Sequence, residues 1–190
     1  KDHKVGTEQE KFGLFLDPEV GPRPVEYGAH VLPVLEAFVK EFGWQPAADR
    51  GPDGEIIALE RDGASITLEP GGQFELSGKP LPHVHATCGE FTTHYHELHG
   101  VSQRLGLAWL ATGFHPFATR EEIHWMPKGR YRVMRAFLPT RGSKGLDMML
   151  RTCTVQANFD YASEKQAGER LRAAMGVSGL STALFANSPY

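Results

Sequence analysis

Ser65-Ile-Thr-Leu-Glu-Pro-Gly-Gly-Gln-Phe-Glu-Leu-Ser-Gly78 alternates apolar and polar residues on both sides of a Pro-Gly-Gly turn. That is the pattern of a β-hairpin with one buried face. Ile66, Leu68, Phe74 and Leu76 form the apolar set, and Thr67, Glu69, Gln73 and Glu75 the polar one. Cross-strand partners point the same way, so the turn decides which polar residues meet. A two-residue Gly-Gly loop would set Glu69 opposite Phe74 and part the two acids. A three-residue loop, Pro70-Gly71-Gly72 with a glycine at positive φ, would set Glu69 beside Gln73 and keep Glu75 on their side. The three-residue loop is the expectation.

Upstream, Glu55 to Arg61 reads as a strand, and Asp62-Gly63 supplies a hairpin turn into Ser65. Residues 55–78 are therefore expected to form a three-stranded antiparallel meander. Residues 4–16 read as a first strand whose alternation puts Glu8 and Glu10 on one face, about 7 Å apart at ~3.3 Å per residue. That spacing suits carboxylates converging on a hard cation such as Mg²⁺. A solvated strand face is the plainer account of an isolated Glu-x-Glu, and the second pair, Glu69 and Glu75, favours the functional one. Residues 17–27 and 49–54 read as loop and turn. Val31, Leu35, Phe38, Val39 and Phe42 recur at helical spacing up to a stop at Gly43.

Downstream, Pro80 to Gly106 reads as a long helix with Val84, Cys88, Phe91, Tyr95, Leu98, Ser102 and Leu105 on its buried stripe. His83, His85, His94, His96 and His99 fall largely off that stripe. None of them forms a four-residue His-Glu-x-x-His spacing and no thiol completes a tetrahedral set, so zinc is not expected. Cys88 on the stripe is expected to be an inert thiol. Leu107 to Phe114 reads as a short strand. Lys128, Arg130, Arg132 and Arg135 then form the densest basic cluster, either a solvated helix face or a source of cations for ligand phosphate or carboxylate. Met148 to Tyr161 reads as a second long strand, with Met149, Arg151 and Cys153 on one face and Gln156 and Asn158 on the other. Ser163 is expected to cap a helix running to Met175, with a last helical segment from Ser178 to Ala186.

The 190 residues fit one domain, and 41% hydrophobic with 23% charged residues is ordinary for a globular chain. A net charge of −3 argues against a nucleic-acid surface. No apolar run approaches the roughly 20 residues needed to span a membrane. Two cysteines, Cys88 and Cys153, point to a reducing compartment, and a cytoplasmic location is expected. The chain starts at Lys1 without a methionine, and it is expected to be a piece of something longer.

Gly6-Thr-Glu-Gln-Glu-Lys-Phe-Gly13, Leu68 to Gly78, Met126-Pro-Lys-Gly-Arg-Tyr131, Met148 to Gln156 and Ala183-Leu-Phe-Ala-Asn-Ser-Pro189 together resemble glutamate–cysteine ligase of the plant and proteobacterial type. The resemblance runs in order along the whole chain and covers only the N-terminal part of that family's catalytic domain. It implies an α+β, glutamine-synthetase-like fold, a curved, mainly antiparallel sheet with helices on its outer side. It also implies ATP-dependent joining of the γ-carboxylate of L-glutamate to the amine of L-cysteine through γ-glutamyl phosphate, the first step of glutathione synthesis. Glu8 and Glu10 match the family's first-strand acids, and Glu69 and Glu75 its hairpin acids, which hold Mg²⁺ on the ATP phosphates. Arg151 and Arg132 are the expected catalytic cations, and Gln156, Asn158 and Met149 the expected substrate-binding residues. Cys88 matches a position that joins a redox-sensitive disulfide in plant members, with a partner beyond residue 190.

Overall fold

Ala64–Leu68 (β6) and Phe74–Ser77 (β7) form the middle of an antiparallel sheet in the computed structural model, which describes residues 2–189. Their register runs Ser65↔Ser77, Ile66↔Leu76, Thr67↔Glu75 and Leu68↔Phe74. The Glu69 N–H donates to the Gln73 carbonyl at 2.9 Å, and the Gly72 N–H donates to the Glu69 carbonyl at 3.0 Å. The loop is therefore Pro70-Gly71-Gly72, as expected, with Gly72 at φ +82°. Proline presets φ for the first turn position, and glycine takes the left-handed last one.

Ala58–Arg61 (β5) joins β6 through Asp62 and Gly63, both at positive φ (51° and 83°), which completes the meander. Gln45–Pro46 (β4) pairs outside β5, Val5–Gln9 (β1) outside β7, and Val155–Phe159 (β9) outside β1. The sheet order is β4-β5-β6-β7-β1-β9, and every pairing is antiparallel. Phe12–Asp17 (β2), Gly21–Pro24 (β3) and Leu107–Leu110 (β8) make a second antiparallel sheet in the order β3-β2-β8.

Leu32–Phe42 (α1) and Val84–Leu105 (α2) cover one face of the larger sheet. Val34, Leu35 and Phe38 of α1, and Leu98 and Val101 of α2, pack on Leu59, Ile66, Leu68, Phe74 and Leu76. Gly43 closes α1 in the left-handed conformation at φ 74°. Gly129–Phe137 (α3), Gly145–Arg151 (α4) and Glu164–Leu184 (α5) complete the elements. This is the expected α+β arrangement of an antiparallel sheet with helices packed on it. Among the described residues no helix is long and apolar enough to cross a membrane.

Four expectations need correction. Residues 4–16 are two strands in two sheets, because the chain leaves the larger sheet after Glu10 and Lys11 and enters the smaller one at Phe12. Residues 17–27 are not all loop, since Gly21–Pro24 pairs with β2. Met148 to Arg151 belongs to α4 and the strand starts only at Val155; Asp147 and Arg151, four apart and bonded at 3.3 Å, are the helical signal there. The helix capped by Ser163, whose hydroxyl accepts from the Gln166 N–H, runs unbroken to Leu184 through Gly176 and Gly179.

The buried seam of α2 is also rotated from the expected stripe. Thr87, His94, Leu98, Val101 and Ser102 are buried, whereas Val84 is 73% exposed and Cys88 is exposed. The cause is His94, whose ring stacks on Phe74 at 6.1 Å and meets Lys11 at 3.4 Å, so a neutral imidazole takes an aromatic core position.

Candidate functional site

The β1–β7 register pairs Glu8 with Ser77 and Gln9 with Leu76, and Lys11 and Phe74 exchange both backbone hydrogen bonds (3.1 and 2.8 Å). Glu10 therefore stands opposite Glu75. On the other side of β1, Glu8 pairs with Gln156 and Gly6 with Asn158, and the Glu10 N–H donates to the Thr154 carbonyl. Alternation then places Glu8, Glu10, Thr67, Glu69, Glu75, Gln156 and Asn158 on one face, opposite the helices. The four glutamates expected together are brought to that one face.

Each is held by neutral groups or one cation. Glu8 accepts from Gln156 Nε2 at 2.8 Å and Asn158 Nδ2 at 2.9 Å. Glu10 accepts from the Thr154 N–H (3.1 Å) and hydroxyl (2.9 Å). Glu75 accepts from the Thr67 hydroxyl at 2.7 Å. Glu69 pairs with Arg130 at 3.1 Å and lies 3.4 Å from the Tyr131 hydroxyl, which donates to the Leu68 carbonyl at 2.6 Å.

Burial pushes the Glu10 carboxyl above its ordinary range, aided by the charges of Glu75 and Glu69 and opposed by the Thr154 hydrogen bonds. Glu75 is raised in the same way, by burial first and then by Glu69 and Glu8, against the Thr67 bond. None of the described ion pairs includes Glu8, Glu10 or Glu75. Among the described residues no three His, Cys, Asp or Glu side chains close into a group that could hold a metal ion. The glutamates lie side by side over three strands, so what fits Mg²⁺ is the donor set: hard carboxylate oxygens, partly desolvated at Glu10 and Glu75, with only Glu69 paired to a cation among the described ion pairs.

On the other face of β1, Lys11 is 1% exposed, with its ammonium 3.4 Å from His94 Nε2 and donating to the Gln9 carbonyl. Burial lowers its pKa to about 8, and burial with the Lys11 charge lowers that of His94 to about 3. Gln73 is buried at the hairpin tip. Its Nε2 donates to the Met149 and Thr152 carbonyls (3.0 and 2.9 Å) and its Oε1 accepts from the Gly71 N–H at 2.8 Å, which ties the loop to the end of α4.

The remaining expected site residues lie elsewhere. Met149 is 5% exposed within the main core, so it packs the fold and does not face the acids. Arg151 is committed to Asp147 and to the Phe114 ring, 4.5 Å from its guanidinium carbon. Arg132 is exposed on α3, two residues and therefore about 200° around the helix from Arg130. Among the described ion pairs, the cation that meets an acid of this face is Arg130, at Glu69. Gln156 and Asn158 do face the site, but their amides hold Glu8. Cys88 is an exposed free thiol, and Cys153 is the buried one, its thiol pushed up by burial. Thr67 and Thr154 were not anticipated; their positions opposite Glu75 and Glu10 follow only once strand register is known.

The model of glutamate-cysteine ligase family 2 matches residues 4–190. The chain is 44% identical over 187 residues to the chloroplastic glutamate–cysteine ligase of Brassica juncea, covering 98% of the chain and 35% of that protein. It is 43% identical over 188 residues to the Arabidopsis thaliana enzyme (99% and 35%) and 41% over 187 residues to glutamate–cysteine ligase A of Oryza sativa subsp. japonica (98% and 37%). The chain thus spans little more than a third of the length of these relatives.

Proposed function

The chain belongs to glutamate–cysteine ligase family 2, and from that premise we propose that residues 1–190 are the N-terminal, acid-bearing part of a catalytic domain that joins L-glutamate to L-cysteine at the expense of ATP. The observation that carries the reading is Glu10 facing Glu75, with Glu8 and Glu69 on the same face and, among the described ion pairs, a cation at Glu69 alone.

A carboxylate is a poor acyl donor. In the proposed reaction the γ-carboxylate of glutamate takes the γ-phosphoryl group of ATP, giving γ-glutamyl phosphate and ADP. The cysteine nitrogen then attacks the acyl carbon, loses a proton, and phosphate leaves. Catalysis of such a transfer is mainly positioning and neutralisation of charge. Glu8, Glu10, Glu69 and Glu75 would hold Mg²⁺, which when bound supplies positive charge against the ATP phosphates. Gln156, Asn158, Thr154 and Thr67 fix the carboxylates through neutral hydrogen bonds, which orient each acid without cancelling its charge. Arg130 braces Glu69 at the hairpin tip.

The test is glutamate-dependent ADP release by the full-length protein carrying this chain, assayed against a panel of amines. Cysteine is expected to be preferred. A preference for another amine would move the protein to a different carboxylate–amine ligase with the same acids, and loss of activity in Glu75→Gln with unchanged folding is expected in either case.

A further inference from the structure

The acid face is carried on two pieces of chain that part company at one end. Glu10 follows β1, while Glu69 and Glu75 belong to the hairpin, and backbone pairing joins the two as far as Lys11 and Phe74. At Phe12 the chain passes into the smaller sheet, so that pairing stops short of the hairpin tip. Resting on the reading of the acid face as the metal-holding site, we propose that the Gln73 amide takes over there as a positioning residue. It sets the hairpin acids against Glu10 so that they can share a divalent cation.

Gln73 is 1% exposed, and its amide is fully used: Nε2 donates to the Met149 and Thr152 carbonyls, and Oε1 accepts from the Gly71 N–H. The two carbonyls lie in the last turn of α4 and just past it, where helix carbonyls lack partners of their own. Their neighbours are already served. The Thr152 hydroxyl donates to the Met148 carbonyl at 2.6 Å, and the His115 N–H donates to the Arg151 carbonyl at 2.8 Å. Gln73 therefore supplies, from the hairpin, donors that this helix end needs. The contact is close: a β-carbon at Gly71 would come within 2.6 Å of the Leu150 carbonyl oxygen.

The link continues from Thr152 to the first-strand acid. Two residues on, Thr154 gives its N–H and its hydroxyl to the Glu10 carboxylate, at 3.1 and 2.9 Å, and its carbonyl accepts from the Glu10 N–H at 3.1 Å. The segment from Thr152 to Thr154 is thus held by Gln73 at one end and holds Glu10 at the other. Among the described hydrogen bonds the Gln73 side chain meets no carboxylate, so it holds the acids in place without joining them. The task needs two donors and one acceptor on a single planar group, which an amide has. A glutamate there would set carboxylate oxygens against two carbonyls, and a methionine would fill the volume with no donor.

Binding of Mn²⁺ to the full-length protein, read from the electron spin resonance signal of the free ion, tests this beside thermal melts of the same samples. The set is wild type, Gln73→Met, Gln73→Asn, Glu75→Gln and Val34→Ala, the last a core change under α1. Gln73→Met is expected to weaken Mn²⁺ about tenfold, the scale set by groups that orient metal ligands. Gln73→Asn, whose shorter amide cannot reach both carbonyls, should weaken it by more than twofold. Val34→Ala should lower Tm and leave Mn²⁺ affinity within twofold of wild type. Affinity within twofold of wild type in Gln73→Met, or a loss no larger than that in Val34→Ala, overturns the proposal. If Gln73→Met does not fold, Gln73→Asn decides by the same limit. Wild-type Mn²⁺ affinity in Glu75→Gln would overturn the acid-face reading itself, whereas a loss there with none at Gln73 overturns only the positioning role.

Discussion

Glu10 stands directly opposite Glu75 across the β1–β7 ladder, two carboxylates with neutral hydroxyl donors and no cation among the described ion pairs. Both have pKa values raised in the folded chain. The folded state therefore holds their protons more tightly than the unfolded state. Their contribution to stability is present below the ordinary carboxylate range and is lost as pH rises through the folded values.

Metal-free protein should accordingly lose stability as pH rises from about 4.5, and Glu10→Gln or Glu75→Gln should raise Tm at pH 7. The rise should be roughly 2–4 °C, the shift that about 1 kcal/mol makes in a chain of this length. Scanning calorimetry in a chelator checks it. Added Mg²⁺ should raise Tm in wild type and much less in either variant.

The opposite slope belongs to the buried bases. His94 is lowered to about 3, so from the imidazole's ordinary 6.5 down to that value the unfolded chain binds one more proton, and stability falls as pH falls. His94→Phe, which keeps a ring stacked on Phe74, should flatten that limb by about 1.4 kcal/mol per pH unit. Lys11, lowered to about 8, should make stability rise between about pH 8 and 10.5, and Lys11→Met should abolish that rise. Urea titrations at each pH provide the measurement.

Glycine substitutions should divide by backbone and space. Gly72→Ala, at φ +82° and with Val25 Cγ2 3.1 Å from the new carbon, should cost about 1–2 kcal/mol. Gly71→Ala should also destabilise, because its β-carbon meets the Leu150 carbonyl oxygen at 2.6 Å. Gly89→Ala on the open side of α2 meets nothing within 4 Å and should stabilise by about 0.5–1 kcal/mol. Thermal melts of the three variants order them.

Arg130 and Arg132 should part in function. Arg130→Ala removes the partner of Glu69 and should lower kcat/KM of the full-length enzyme about tenfold or more, the scale of one charged hydrogen bond. Arg132→Ala should change it less than twofold. Steady-state kinetics of both variants make the comparison.

The hairpin was legible because its loop chemistry and its alternation agree: Pro70 and Gly72 each have one favoured turn position, and register then follows. The acid face followed from that register. What periodicity hid were places where it is ambiguous or overridden. Met148-Met-Leu-Arg151 is a short, largely apolar run whose periodicity fits a strand or a helix equally; the Asp147–Arg151 spacing and the packing of Met149 and Leu150 decide it. The phase of α2 turned on His94, whose burial needs Lys11 and Phe74 from distant strands. Arg130 was visible as one of four cations, but choosing it required knowing which side of α3 meets Glu69.

Glu10 and Lys11 are consecutive, yet one lies among carboxylates and the other beneath α2 with His94. A single deletion or insertion between Gly6 and Lys11 would exchange them. A lysine would then stand in the acid cluster and a carboxylate would be buried without a partner. The length of this strand is therefore as constrained as its residues: the spacing is policed by charge from both sides of the sheet, and a frame error of one residue costs the site and the fold together.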